Sequence, residues 1–339
     1  MTKVRPKVSV VVPIYNVEAF IERCAVSLFE QTLDELEYIF VNDCTPDGSV
    51  DVLRRVVEEY PDRKPNVKIL ENEKNLGGGH SRNRGIEASQ GEYIAFCDSD
   101  DYVELDMYES LYHEAVATGS EIVVCNLRCY QKDNKFSDTH CFVGKDGDWL
   151  KALLNLDIKG YPFDKLFKRS LIVDNGLQFP PYQMIEDLVF CVEAFYYSRK
   201  CTILNRVLYH YAFNNCSVCN TRTEEALLRK SENCIRNVLT LIDFFKKNGV
   251  YEKYKREVAI WKFKAKAVIW PLAVENPSKY RKYWLTTFQE VNYYIPFMKG
   301  VAFRFKIYYL LNLIGIYPLL KKIFVKPKII NNCCCYNSI

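Results

Sequence analysis

With 339 residues, 49% of them hydrophobic and 26% charged, the chain can build one large or two modest globular domains, and disorder is excluded. The net charge of +4 sits at the C-terminal end: residues 291–339 hold seven basic side chains (Lys299, Arg304, Lys306, Lys321, Lys322, Lys326, Lys328) and no acidic one. The first 290 residues are therefore left at −3, which argues against a nucleic-acid-binding body and directs attention to whatever the tail touches.

Fourteen cysteines raise the question of disulfides. The opening Met1–Lys7 is polar and basic and has no secretory signal, so a reducing cytosol is expected, with thiols acting as small buried hydrophobes. Cys216-x-x-Cys219 stands alone, which is weak ground for zinc or redox chemistry. The 24 Tyr and 20 Phe suit a stacking surface, a well-filled core or an interfacial belt equally.

In chain order, Val8–Val12 closed by Pro13 reads as a buried strand. Asn16 is placed to cap a helix whose apolar stripe is Phe20, Ile21, Cys24, Leu28 and Phe29. Tyr38–Val41 is a second strand, with a turn at 42–49 and a helix over Val50–Tyr60. Val67–Leu70 is a third strand, followed by the glycine loop Gly77–Gly79 and a helix to about Ala88; Glu92–Cys97 is a fourth strand that runs into Asp98. Such alternation predicts a parallel sheet with helices on both faces, whose ligands sit at the carboxyl ends of the strands. A helix after Leu105 and the strand Glu121–Cys125 extend the sheet, residues 126–160 read as a partly antiparallel section, and a helical pattern runs from Thr223 to about Val274 with Gly249 as a stop.

Asp98-Ser99-Asp100-Asp101 puts three carboxylates in four residues directly after a buried strand. Their mutual repulsion is hard to justify for stability, and a hard divalent cation, Mg²⁺ or Mn²⁺, relieves it; a solvated acidic turn is the simpler alternative. Asp43 ends the second strand on the same sheet edge, where it can accept hydrogen bonds from a base or ribose or simply form a turn with Pro46 and Gly48. The segment 75–85 lets backbone approach a phosphate at a helix N-terminus, with Arg82 or Arg84 to pair with it, and His80 as either a phosphate ligand or a structural residue. It is neither a Walker loop nor a dinucleotide fingerprint, since it lacks Gly-Lys-Ser/Thr and follows the third strand.

Four motifs together, Val8-Ser-Val-Val-Val-Pro-Ile-Tyr-Asn16, Val41-Asn-Asp-Cys-Thr-Pro-Asp-Gly-Ser49, Asn75-x-Gly with Arg82-Asn-x-Gly85, and Phe96-Cys-Asp-Ser-Asp-Asp-Tyr102, resemble the family 2 glycosyltransferases of the GT-A fold, of the bacterial cell-surface polysaccharide type. The resemblance covers about residues 5–215. It implies an α/β fold with a Rossmann-like, mainly parallel sheet plus a C-terminal helical region. The expected division is 1–220 for the GT-A domain (nucleotide half about 1–125, acceptor half about 126–220), 221–290 for a helical extension and 291–339 for a basic amphipathic tail. The resemblance further implies Pro13 and Tyr15 in the nucleotide pocket wall, Asp43 on the base (usually uracil), Arg82 near the diphosphate, Asp98 beside the ribose and Asp100 on the metal. Residues 163–169 and 179–190 resemble the acceptor half, where Glu186-Asp187 matches the acidic pair that supplies the base; the alternative for that pair is a charge complement to a helix N-terminus.

The implied activity is inverting transfer of a single sugar from a nucleotide diphosphate sugar, expected to be a UDP-sugar, to a glycan or lipid-linked acceptor. Asp187 is the expected base, with Glu186 orienting the acceptor. Processive synthases carry Gln-x-x-Arg-Trp, and none of the four Trp residues here follows an Arg. A nucleotidyltransferase would need a basic glycine-rich loop after the first strand, where Pro13-Ile-Tyr-Asn16 stands. A degenerate sugar-nucleotide-binding module without transfer is the remaining rival. In the tail, the fourteen uncharged residues Ile307–Leu320, broken by Asn312 and Pro318, are too few to span a bilayer and suggest a helix on an anionic membrane surface. The expected location is cytoplasmic and peripheral on the inner face of the membrane. Cys333–Cys335 reads as a frayed reduced terminus.

Overall fold

The computed structural model describes residues 5–133, 135–214, 223–294 and 303–316, and the chain divides between Asn214 and Asn215 into two compact units. Cys216, Cys219, Lys299, residues 317–339 and the expectations attached to them lie outside the described residues.

The first unit alternates strand and helix: β1 (Val8–Ile14), α1 (Ile21–Phe29), β2 (Leu36–Asn42), α2 (Ser49–Glu59), β3 (Val67–Glu71), α3 (Gly78–Ala88) and β4 (Tyr93–Phe96). There follow β5 (Tyr102–Val103), α4 (Met107–Thr118), β6 (Ile122–Tyr130), β7 (Phe136–Thr139), α5 (Trp149–Leu154), β8 (Lys165–Lys168), α6 (Arg169–Asp174), α7 (Glu186–Tyr197) and β9 (Cys201–Tyr211). The strands form one mixed sheet in the order β3-β2-β1-β4-β8-β6-β9-β5, with β7 pairing β6. Its first four strands are parallel; β8 enters antiparallel between β4 and β6.

Val8, Val10, Val11 and Val12 are all fully buried, so β1 lacks the in-out alternation of a half-exposed strand. Helices cover both faces of a parallel sheet, so a continuous apolar run is what such a strand needs. Pro13 lies within β1 without cost, because the pairing with β4 has already ended at Val11↔Phe96 and Pro13 faces only Val41 of β2. The chain moves outward from β1 to β2 to β3, then returns to place β4 on the other side of β1. This reversal is the switch point at which α/β sheets open a crevice beyond the strand ends.

One local reading is corrected. Asn16 does not cap α1: it takes φ +56°, its amide donates to Thr45 Oγ1 at 2.8 Å, and α1 starts only at Ile21 after a turn at Val17. Residues 126–160 include the β6–β7 antiparallel pairing and α5, with the Asp148 carboxylate accepting from the Lys151 amide.

The second unit is helical: α8 (Glu224–Lys247), α9 (Tyr251–Ala267), α10 (Trp270–Glu275), α11 (Pro277–Thr286) and α12 (Phe303–Leu313). Thr223 caps α8 by accepting from the Ala226 amide, and Gly249 at φ +70° follows its end. Its core gathers Phe263, Trp284 and Tyr309, with Trp270 stacked on Tyr309 at 5.7 Å. No helix among the described residues is long and apolar enough to cross a membrane.

At Gly85, α3 lies directly on β1: an added Cβ would stand 2.1 Å from Val11 Cγ1. Gly85→Ala is expected to destabilise the fold by about 2 kcal/mol through overpacking, measured by urea denaturation; an unchanged midpoint would show that α3 can lift off β1 freely.

Candidate active site

Tyr15, Asp43 and Asp98 follow β1, β2 and β4 respectively, three neighbouring parallel strands, so they emerge from one sheet edge. Pro13 is half-buried and Tyr15 is 44% exposed, which fits a wall residue with a free ring. Asp43 is 2% exposed and heavily engaged. Its Oδ1 accepts from Asn72 Nδ2 at 2.7 Å and the Leu76 amide at 2.9 Å, and its Oδ2 accepts from the Gly77 amide at 2.7 Å. Asp43 therefore ties the glycine loop to the end of β2. Gly77 takes φ +92°, and an added Cβ would meet Gln183 Nε2 at 2.5 Å, so the loop is pressed against the segment leading to α7.

Within 98–101 the three carboxylates have separate partners in the protein. Asp98 Oδ1 accepts from Arg82 Nη2 at 2.6 Å. Asp100 Oδ2 accepts from Asn214 Nδ2 at 2.9 Å. Asp101 is turned inward with no exposure, accepting from Tyr209 Oη at 2.7 Å and from the Ala212 amide at 2.7 Å. Tyr209 Oη also accepts from the Asp98 amide at 3.1 Å, so one phenol fixes both ends of the turn. Burial, then the neighbouring charges of Asp100 and Asp98, hold the Asp101 carboxyl well above the usual range. Asp101 is thus a structural residue.

Arg82 is the hub. Its side chain is 7% exposed, and Nη1 donates to Asp187 Oδ1 at 3.1 Å while Nη2 donates to Asp98. Its guanidinium lies over the Phe179 ring, 5.4 Å from the centroid. Burial opposes its charge, but Asp187, Asp98 and Glu186 outweigh that and raise its pKa. Arg84, by contrast, turns back to Glu71 O and Asn72 Oδ1, each at 2.6 Å, and so braces β3; His80 is exposed.

Glu186 and Asp187 open α7, where unpaired amides favour negative charge. The chain enters this helix through Met184 at φ +81° and Ile185 at φ +59°, a conformation costly for a β-branched side chain. The entry is held from outside: Asn83 Nδ2 donates to Phe179 O and the Phe179 amide donates to Asn83 Oδ1, both at 2.8 Å, while Phe179 stacks on Phe190 at 4.1 Å. The Asp187 carboxyl is pushed up to about 6, first by burial, with Arg82 pulling it back down, Asp98 raising it and Lys165 lowering it.

The structure therefore brings Arg82, Asp98 and Asp187 into direct contact and places Glu186 in the same helix turn. Asp100 follows on the same turn as Asp98, and Asp43 holds the loop from which α3 starts. Sequence reasoning passed over Tyr209, Asn214, Asn83 and Asn72. Only Asn83 lay inside a quoted motif; the others become visible once distant strands are paired.

Among the described residues no group of three or more His, Cys, Asp or Glu side chains is set to hold a metal. A single carboxylate completed by substrate phosphates remains a normal Mg²⁺ arrangement. Asp100 follows Asp98 on the same turn, its Oδ2 accepts from Asn214 Nδ2 at 2.9 Å, and burial and the charge of Asp98 raise its pKa.

A sequence profile described as "Glycosyl transferase family 2" matches residues 9–208. The chain belongs to this family. It is a glycosyltransferase, and its family moves a sugar from a nucleotide sugar to an acceptor. Among its relatives is the "Putative glycosyltransferase EpsH" of Bacillus subtilis, 33% identical over 262 residues, covering 75% of this chain and 73% of that protein. The fold resembles S. aureus TarS solved with UDP-GlcNAc, with a TM-score of 0.58 at 17% identity over 96% of this chain and 95% of that one. It also resembles the mannosyltransferase PcManGT of Pyrobaculum calidifontis, solved with GDP-Man and Mn²⁺, with a TM-score of 0.53 at 18% identity over 96% of this chain and 89% of that one.

Replacing Arg82 by Met leaves two carboxylates facing each other without their shared cation. Because both are partly exposed, the expected loss of stability at pH 7.5 is about 2 kcal/mol, below that for a fully buried pair. Chemical denaturation checks this, and a midpoint equal to wild type would show that water replaces the guanidinium.

Proposed function

We propose that this glycosyltransferase transfers a single sugar from a UDP-sugar with inversion to a hydroxyl of a glycan or lipid-linked acceptor, with Asp187 as the general base. The observation that carries this reading is the Arg82 bridge between Asp98, on the nucleotide side, and Asp187, at the start of α7. Tyr15 and Pro13 would line the nucleotide, and Asp43 would reach the base through the loop it anchors. Asp98 would sit beside the ribose. Residues 1–125 would form the nucleotide half and 126–220 the acceptor half.

In the proposed reaction the acceptor hydroxyl oxygen attacks the anomeric carbon as its proton passes to Asp187, and the bond from that carbon to the diphosphate oxygen breaks. Attack from the face opposite the leaving group inverts the configuration. Arg82 keeps the Asp187 carboxylate oriented and presents positive charge toward the diphosphate. Glu186, one residue away, would orient the acceptor. Asp100 would hold Mg²⁺ or Mn²⁺, which when bound neutralises charge on the departing diphosphate. A carboxyl near 6 is ionised at neutral pH yet basic enough to accept a proton in the transition state.

With Mn²⁺ and a panel of UDP-sugars, Asp187→Asn is expected to lower kcat by about 10²–10⁴-fold while nucleotide binding is kept. Asp100→Ala is expected to remove metal-dependent thermal stabilisation by the nucleotide. Since the active form of Asp187 is the carboxylate, transfer should fall as pH drops through about 6 and level off above it. Near-full transfer by Asp187→Asn would refute the base assignment.

The same reading places the enzyme at a membrane surface. On α12 and just beyond it, Phe303, Ile307, Leu310 and Ile314 are 77%, 40%, 40% and 65% exposed and recur at helical spacing, while Tyr309 and Asn312 face the core of their unit. An apolar stripe within a segment that has seven basic and no acidic residues suits an anionic bilayer, and eleven residues of helix are too short to cross one. Flotation with phosphatidylglycerol-containing vesicles should carry the protein, and the triple change Ile307→Ser, Leu310→Ser, Ile314→Ser should leave most of it behind. Equal flotation of the two would end this part of the proposal.

A further inference from the structure

Beneath the candidate active site lies an ion pair that the mechanism above leaves unused. Lys165 Nζ and Asp164 Oδ1 are 2.6 Å apart and neither side chain has any exposure; no other ion pair among the described residues is so enclosed. The ammonium also donates to the carbonyls of Lys159 and Tyr161, each at 2.7 Å, so all three of its protons are used. The pair is poorly arranged for stability alone. Asp164 Oδ2 is buried without a partner, and apolar side chains of the same volume generally serve a core as well as a buried ion pair does.

Its place in the sheet is informative. Lys165 opens β8 in register with Val124 of β6, one residue beyond the Leu166↔Ala95 pairing with β4, so it stands beside the strand end that runs into Asp98. Two residues on, Phe167 packs edge-on against Phe96 at 6.0 Å and against Phe190 of α7 at 5.5 Å. Alternation along a strand puts Lys165 on this same face, under α7. The Tyr161 carbonyl that Lys165 holds also accepts from the Cys191 thiol at 3.6 Å, and Cys191 is one helical turn beyond Asp187.

We propose that the Asp164–Lys165 pair is a positioning element for Asp187: the ammonium pins the Lys159–Tyr161 turn beneath α7 and sets a permanent positive charge behind the carboxylate. The role of Asp187 as base is taken from the proposed function. The charged groups around Asp187 are Arg82 from α3, Asp98 from the end of β4 and Lys165 from β8, with Glu186 beside it in the chain and acting on Arg82. Arg82 and Lys165 favour its ionised form and Asp98 opposes it. A neutral pair of the same size in place of Asp164–Lys165 would keep the packing and remove the charge.

The test follows the Asp187 carboxyl directly by ¹³C NMR of protein labelled at aspartate Cγ, its resonance identified by its loss in Asp187→Asn. In the double variant Asp164→Asn, Lys165→Met the titration midpoint is expected to rise by about one unit, as for a carboxylate that loses a nearby cation. Lys165→Met alone, in which Asp164 can neutralise itself by protonation, provides the second variant and should move the midpoint the same way. With whichever of UDP-glucose, UDP-galactose or UDP-N-acetylglucosamine is turned over, the acid limb of kcat should shift in parallel while the donor KM stays within about twofold. A midpoint and acid limb that stay at wild-type values in both variants would overturn the proposal. If they stay while Asp187→Asn is inactive, the base assignment stands and this inference alone falls. If the midpoint moves but Asp187→Asn transfers sugar normally, the base assignment falls and the electrostatic link survives.

Discussion

The candidate site depends on one guanidinium held between two carboxylates that are distant in the chain. Arg82 reaches Asp98 sixteen residues away and Asp187 a hundred and five residues away, with its own side chain almost wholly buried. Such a bridge demands that α3, the end of β4 and the start of α7 all be fixed closely, because a charge-assisted hydrogen bond weakens quickly with distance and angle. The surrounding contacts supply that. Gly85 lets α3 lie directly on Val11 of β1, Asn83 clips α3 to the Phe179 backbone through a pair of hydrogen bonds, and Tyr209 fixes the turn after β4 from the far side.

The edge of the sheet gathers more negative charge than isolated pairing would tolerate, and the fold deals with each carboxylate differently. Asp43 is taken up by backbone amides of the glycine loop, Asp101 by a phenol and an amide, and Asp98 by Arg82. Asp100 accepts from the Asn214 amide, and burial and the charge of Asp98 raise its pKa against the opposing pull of Asn214 and Arg23. That distinction within Asp98–Asp101 comes from partners on β9 and beyond it, well over a hundred residues downstream.

Much of the first four strands and their helices was legible because the signals there are local. An unbroken apolar run such as Val8–Val12, a glycine loop that opens a helix and a strand that ends in Asp98 each report their own structure. The later strands read less clearly. β8 is inserted antiparallel between β4 and β6, an order that no periodicity in Lys165–Lys168 can reveal, and the register that brings Tyr209 beneath Asp98 includes shifts near Asn126. Asn16 shows the opposite failure: a good capping residue by type takes a left-handed turn conformation, its amide donating to Thr45, and the helix begins later. Side-chain type sets what a residue can do, but which partner it meets is settled by strand order.

The same dependence explains how the Asp187 carboxyl comes to titrate well above an ordinary aspartate. In water an aspartate has a pKa of about 4 and holds its proton too weakly to remove one from a hydroxyl; fully buried and alone it would stay protonated at neutral pH. Asp187 lies between these limits because opposing influences act together. Burial at the start of α7 and the charge of Asp98 raise it, while Arg82 and Lys165 lower it, and the outcome is about 6. No single neighbour sets that value. It follows from a helix entered through the strained Met184–Ile185 pair, an arginine from α3 in contact with the carboxylate and the more distant charge of a lysine on β8.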